Sequence, residues 1–100
     1  MAKVLALPKP LTYSSLVEWL RGFIATQAGV SIDQVGPDVL FEAFGLDSLS
    51  AVKASGVLEK ALGLRLPPGL LYEYPTVSAL ADYLALELGC ARTVVPRREP

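Results

Sequence analysis

Three glycines constrain this chain more than any other feature. Gly29, Gly63 and Gly89 each close a stretch whose apolar residues recur at the helical i, i+3, i+4, i+7 spacing. Each stretch also opens on residues suited to begin a helix. The first carries Leu16, Trp19, Leu20, Phe23, Ile24 and Ala28, and Ser15-Leu16-Val17-Glu18 reads as its capping box. The second runs from Ser48 to Leu62 behind Asp47, with Ala51, Ala54, Ser55, Leu58 and Leu62 on its inner face. The third follows Thr76, with Val77, Leu80, Ala81, Leu84 and Leu88 facing inward. Between them, Pro68 suits the first turn of a brief helix through Glu73, which Tyr74-Pro75 ends. No alternating strand pattern and no internal repeat interrupts this layout. The expected fold is all-α: a small four-helix bundle, with three main helices and one short one.

A long connection, Val30 to Leu46, precedes the second main helix. Ile32, Val35, Val39, Leu40, Phe41, Phe44 and Leu46 keep it apolar, so it is expected to pack on the core as an ordered loop. Gly36 and Pro37 break it, and Asp38 is expected to cap a single turn reaching Ala43. Residues 1–12, with Pro8 and Pro10, and residues 90–100, with two prolines and three arginines, read as linkers around a domain at 13–89.

Charge follows the same division. From Leu11 to Gly89 the chain has four bases against nine acids, a balance of −5, and the two ends are basic. An acidic body argues against nucleic-acid binding. No run of 18 apolar residues is available to span a membrane, and the apolar stretch near the start is too short for a secretory signal. The single cysteine, Cys90, suits a reducing cytoplasm and reads as incidental, since no base accompanies it.

The chain contains no histidine, so a Ser-His-Asp triad cannot be built from it. Its acids and one cysteine are a poor ligand set for zinc, and Asp33, Asp38 and Glu42 read as solvated loop charges and caps. There is no glycine-rich phosphate loop. Ser50-Ala51-Val52-Lys53 matches the Ser-x-x-Lys pattern of penicillin-binding enzymes, but the companion motifs are missing. Trp19 and Phe23 read as core, and Tyr72, Tyr74 and Tyr83 as partly exposed.

What remains is Gly45-Leu46-Asp47-Ser48-Leu49. Gly45 permits a left-handed backbone before the helix. Asp47 is a good N-cap. Ser48 then sits in the first turn, where backbone amides and the helix dipole favour an attached anion such as a phosphate ester. Leu49, Val52 and Gly56 form a small apolar flank beside it, a candidate docking surface.

Two stretches, Phe44-Gly45-Leu46-Asp47-Ser48-Leu49-Ser50-Ala51-Val52 and Leu71-Tyr72-Glu73-Tyr74-Pro75-Thr76-Val77-Ser78-Ala79-Leu80-Ala81, resemble the acyl carrier protein family, in particular carrier domains of modular polyketide synthases. The resemblance covers roughly residues 14–89. It implies that Ser48 is esterified with 4′-phosphopantetheine from coenzyme A by a phosphopantetheinyl transferase. The arm's thiol would then hold acyl intermediates as thioesters. It implies a non-catalytic carrier, monomeric when isolated, that works with an acyltransferase, a ketosynthase and other synthase domains. Asp47 matches the acidic residue that helps the transferase engage; Leu49 and Val52 match apolar positions facing partners.

Two departures from the family are informative. The second helix has Lys53 and Lys60 against Glu59 alone, where free-standing fatty-acid carriers are densely acidic; this favours a tethered domain. Position 54 is alanine, so the tryptophan of some β-branching carriers is absent. A peptidyl carrier of a nonribosomal or hybrid synthetase, and a helical interaction domain that bears no arm, are the competing readings.

Overall fold

The computed structural model describes residues 11–89. The expected trailing linker with Cys90, and the leading segment up to residue 10, lie outside the described residues. Among the described residues are four α-helices: α1 (Tyr13–Ala28), α2 (Ser48–Leu62), α3 (Leu70–Glu73) and α4 (Val77–Leu88). Single 3-10 turns at Ile32–Gln34 and Phe41–Phe44 lie in the connection from α1 to α2. The three glycine stops stand as expected, each with a left-handed backbone that a side chain would strain.

α1 packs chiefly against α4, and α2 against α3; α1 also meets α2 and the first 3-10 turn. The core is largely aliphatic, with Phe23 and Phe41 its buried aromatic rings. Leu16, Leu20, Phe23 and Ile24 of α1 meet Leu58 of α2, Leu70 and Leu71 of α3, and Val77, Leu80 and Leu84 of α4, all buried. α2 contributes mainly small residues, Ala51, Ala54 and Ser55, and small residues at a helix contact allow the axes to approach. Trp19 is half-buried and stacks on Phe23, with ring centroids 5.6 Å apart. Tyr74 and Tyr83 stack on each other at 4.9 Å, whereas Tyr72 is exposed.

The start of α1 differs from the sequence expectation. Its N-cap is Thr12, whose hydroxyl accepts from the Ser15 amide at 3.1 Å. The Ser15 hydroxyl reaches back to accept from the Thr12 amide at 2.9 Å. Serine at the third helical position thus performs the part that the general motif gives to Glu or Gln. Glu18 instead pairs with Arg21 at 2.9 Å.

The connection between α1 and α2 also departs in detail. Val35, Phe41 and Leu46 are buried and Phe44 is half-buried, but Ile32, Val39 and Leu40 are exposed. Asp38 caps nothing: the chain turns there through a bond from the Val39 amide to the Gly36 carbonyl, and the next 3-10 turn begins only at Phe41. The first 3-10 turn is capped by Ser31. Arg21 holds this part of the loop down, donating to the carbonyls of Val35 at 2.8 Å and Ile32 at 3.1 Å. α3 is two residues shorter than expected, because Pro68 and Gly69 form a turn closed by the Leu70 amide on the Pro67 carbonyl.

Two stability outcomes follow from these contacts. Thr12→Ala should cost about 1 kcal/mol by urea denaturation, and Glu18→Ala at most about 0.5 kcal/mol, because the Glu18 side chain is largely exposed. The Ser55 hydroxyl is buried without a hydrogen-bond partner, so Ser55→Ala should leave the melting temperature unchanged or raise it. A clear loss of stability would mean that the hydroxyl is satisfied in solution.

Candidate functional site

The connection ends by placing the start of α2 at the surface. Gly45 has φ 95°, a backbone that only glycine takes without strain. The next residue, Leu46, is buried and anchors the entry, with its amide bonded to the Phe41 carbonyl. The chain then emerges at Asp47 and Ser48, both exposed. Buried Leu46 and buried Ala51 thus fix the frame on either side of an exposed serine.

Asp47 is the N-cap of α2, as the sequence implies. Its carboxylate accepts from the Ser50 amide at 2.9 Å. That bond is the main reason its pKa lies below the ordinary aspartate value; the Ser50 side chain and, more weakly, the Asp47 and Leu49 amides add to the effect. Ser48 is the first residue of α2, and no hydrogen bond engages its hydroxyl among the described residues. Of the flank, Leu49 is 67% exposed and Val52 43%, and Gly56 faces open space.

An open cleft of about 690 Å³ adjoins the serine, a feature that sequence reasoning missed. Its walls are Leu40, Phe41 and Glu42 of the loop, Gly45 to Ser48, Ala51 of α2, and Leu71, Tyr72 and Pro75. Motif spacing alone could not reveal it, because the far wall comes from α3 and the turn that follows. A substituent on the Ser48 oxygen would have solvent on one side and this mostly apolar cleft on the other. No group of three His, Cys, Asp or Glu among the described residues could hold a metal. No helix there is long and apolar enough to cross a membrane.

Known proteins with similar sequences and folds agree with this geometry. Residues 18–84 match the family described as phosphopantetheine attachment site. The chain is 40% identical over 83 residues to mycoketide-CoA synthase of Mycobacterium tuberculosis, covering 82% of this chain and 2% of that protein. It is 40% identical over 81 residues to erythronolide synthase EryA3 of Saccharopolyspora erythraea, covering 80% of this chain and 3% of that protein. Among solved structures, a free-standing peptidyl carrier protein from Acinetobacter baumannii matches with TM-score 0.70 and 39% identity, over 77% of this chain and 96% of that one. The HMG-ACPI domain from the CurA module of Lyngbya majuscula matches with TM-score 0.72 and 25% identity, over 88% of this chain and 85% of that one.

The chain therefore belongs to the phosphopantetheine attachment family, whose domains bear a covalent 4′-phosphopantetheine, and it is similar to the carrier domains of modular polyketide synthases. It spans only a few per cent of the length of those synthases.

The cap can be tested by titration. Because the folded pKa of Asp47 is depressed, its contribution to stability is complete above the unfolded value of about 3.9 and is lost as pH falls through the lower folded value. An NMR titration of the side-chain carboxyl carbon should place the Asp47 midpoint below the ordinary aspartate value. A midpoint at the ordinary value would show that the Ser50 bond does not persist in solution.

Proposed function

We propose that Ser48 is the attachment residue, and that the domain at 13–89 carries acyl intermediates of a polyketide synthase as thioesters on its arm. The observation that carries this reading is the exposed, unengaged Ser48 hydroxyl at the first residue of α2, inside the matched region and beside the cleft. In the priming step, Ser48 Oγ bonds to the phosphorus bearing the pantetheine half of coenzyme A. The pyrophosphate bond breaks, the nucleotide half leaves, and the hydroxyl proton passes to a base outside this chain. Asp47 holds the helix start and gives the transferase an acidic contact. Leu49, Val52 and Gly56 form the docking flank.

The domain itself is a non-catalytic carrier. Its partners are a phosphopantetheinyl transferase, an acyltransferase that loads the arm, and a ketosynthase and other synthase domains that use it. The reading places this work in the cytoplasm, where coenzyme A thioesters are at hand. The likeness to a peptidyl carrier protein supports a second reading, in which the cargo is an aminoacyl or peptidyl group.

Incubation with coenzyme A, magnesium and a broad-specificity phosphopantetheinyl transferase should add one phosphopantetheinyl unit to the chain by intact mass. Ser48→Ala should stay folded by circular dichroism and gain nothing. Equal gain on the variant would refute Ser48 as the anchor.

A further inference from the structure

Charge is segregated on this domain in a way that its net balance conceals. The outward face of α2 carries Leu49, Val52, Lys53, Gly56, Val57 and Lys60, all exposed. Two of the four bases between Leu11 and Gly89 stand there, and none of the nine acids does. Glu59, the one acid within α2, is half-buried on its flank. Neither lysine is held in an ion pair among the described residues. Arg21, by contrast, is engaged by Glu18 and by two loop carbonyls. Seven residues separate Lys53 from Lys60, two helical turns or about 10 Å along the axis. They stand on the same side of the helix as Leu49 and Gly56.

This face is therefore apolar and cationic on an otherwise acidic body. Val57 is 45% exposed and lies across the lysine row from Val52, so apolar side chains flank the two ammonium groups on both sides. A partner with a basic surface would meet two unneutralised ammonium groups and be repelled. A partner with carboxylates at matching positions would be steered on and held in register.

We propose that α2 docks a catalytic domain whose contact face is acidic, with carboxylates opposite Lys53 and Lys60 around an apolar contact with Leu49, Val52 and Val57. The proposal rests on the carrier reading above, since it assigns the partner's chemistry at the same site.

The test compares the wild-type chain with Lys53→Glu/Lys60→Glu and the neutral Lys53→Gln/Lys60→Gln, each first converted to the phosphopantetheinylated form. A polyketide-synthase acyltransferase domain that measurably loads the wild type from malonyl-CoA serves as the probe. Charge reversal should raise KM for the carrier about tenfold with kcat little changed, and the glutamine variant should fall between. Salt at 0.5 M, an arbitrary high value chosen to give roughly a 4 Å screening length, should erase most of the difference. An unchanged or lowered KM after charge reversal overturns the proposal. So does sedimentation showing a wild-type dimer that reversal dissolves, because a second copy would then be the occupant. Absence of any mass gain on the wild type would defeat the carrier reading and this inference with it. A normal gain with an unchanged KM would defeat the inference alone.

Discussion

Two backbone hydrogen bonds hold the long connection to the rest of the domain, and the site depends on them. The Phe41 amide donates to the Pro75 carbonyl at 2.9 Å, and the Ser78 amide to the Pro37 carbonyl at the same distance. They tie the middle of the loop to the turn after α3 and to the first turn of α4. Pro75 has no amide of its own, but its carbonyl is free to accept. With these bonds formed, Phe41 and Leu46 enter the core, and the chain emerges at Asp47 in the direction α2 requires. The same bonds draw the loop and α3 together as the two walls of the cleft. Arg21 secures the earlier part of the loop independently, from α1. Without these ties the connection would be a 19-residue segment, 29–47, held only by scattered apolar contacts.

The helices were legible in the sequence because they are local. Periodicity placed Leu16, Leu20, Phe23 and Ile24 of α1, and Val77, Leu80 and Leu84 of α4, on buried faces. Asp47 and Thr76 were read as caps, and each side chain accepts from the amide three residues on. Thr12 was missed because its box partner is Ser15, whose short hydroxyl performs the reach usually assigned to a longer side chain. The loop was legible only in outline. Which of its apolar residues turn inward is set by bonds to Pro75, Ser78 and Arg21, distant in sequence, so Ile32, Val39 and Leu40 look the same on paper as Val35 and Phe41. The cleft was invisible for the same reason. Ser48 was visible because everything that positions it lies within a few residues.

The surface charge is organised around that serine. Glu42 and Asp47 line the cleft beside Ser48, while Lys53 and Lys60 stand on the outward face of α2. A partner closing over Ser48 would thus meet a field that changes sign from the cleft to α2. Such a field selects an orientation as well as a partner, because turning the partner end for end would oppose like charges. In the proposed carrier reading, a domain tethered to its enzymes would have its local concentration supplied by linkers. Charge would then act chiefly to discriminate among neighbours and to set their orientation.

The same geometry explains why an exposed hydroxyl can stand here without reacting on its own. A serine nucleophile needs a base to take its proton. The chain has no histidine, and the adjacent carboxylate, Asp47, is committed to the Ser50 amide. Its lowered pKa also makes it a weaker proton acceptor than an ordinary aspartate. Asp47 therefore fixes the start of the helix and leaves Ser48 unactivated. In the proposed priming step, the Ser48 hydroxyl would become a nucleophile only when another protein brings the base. If Ser48 is the attachment residue, as proposed, attachment of the arm would be gated by recognition of the α2 entry, and Gly45, Leu46 and the Asp47 cap, which shape that entry, would contribute to the gate without touching the reacting atoms.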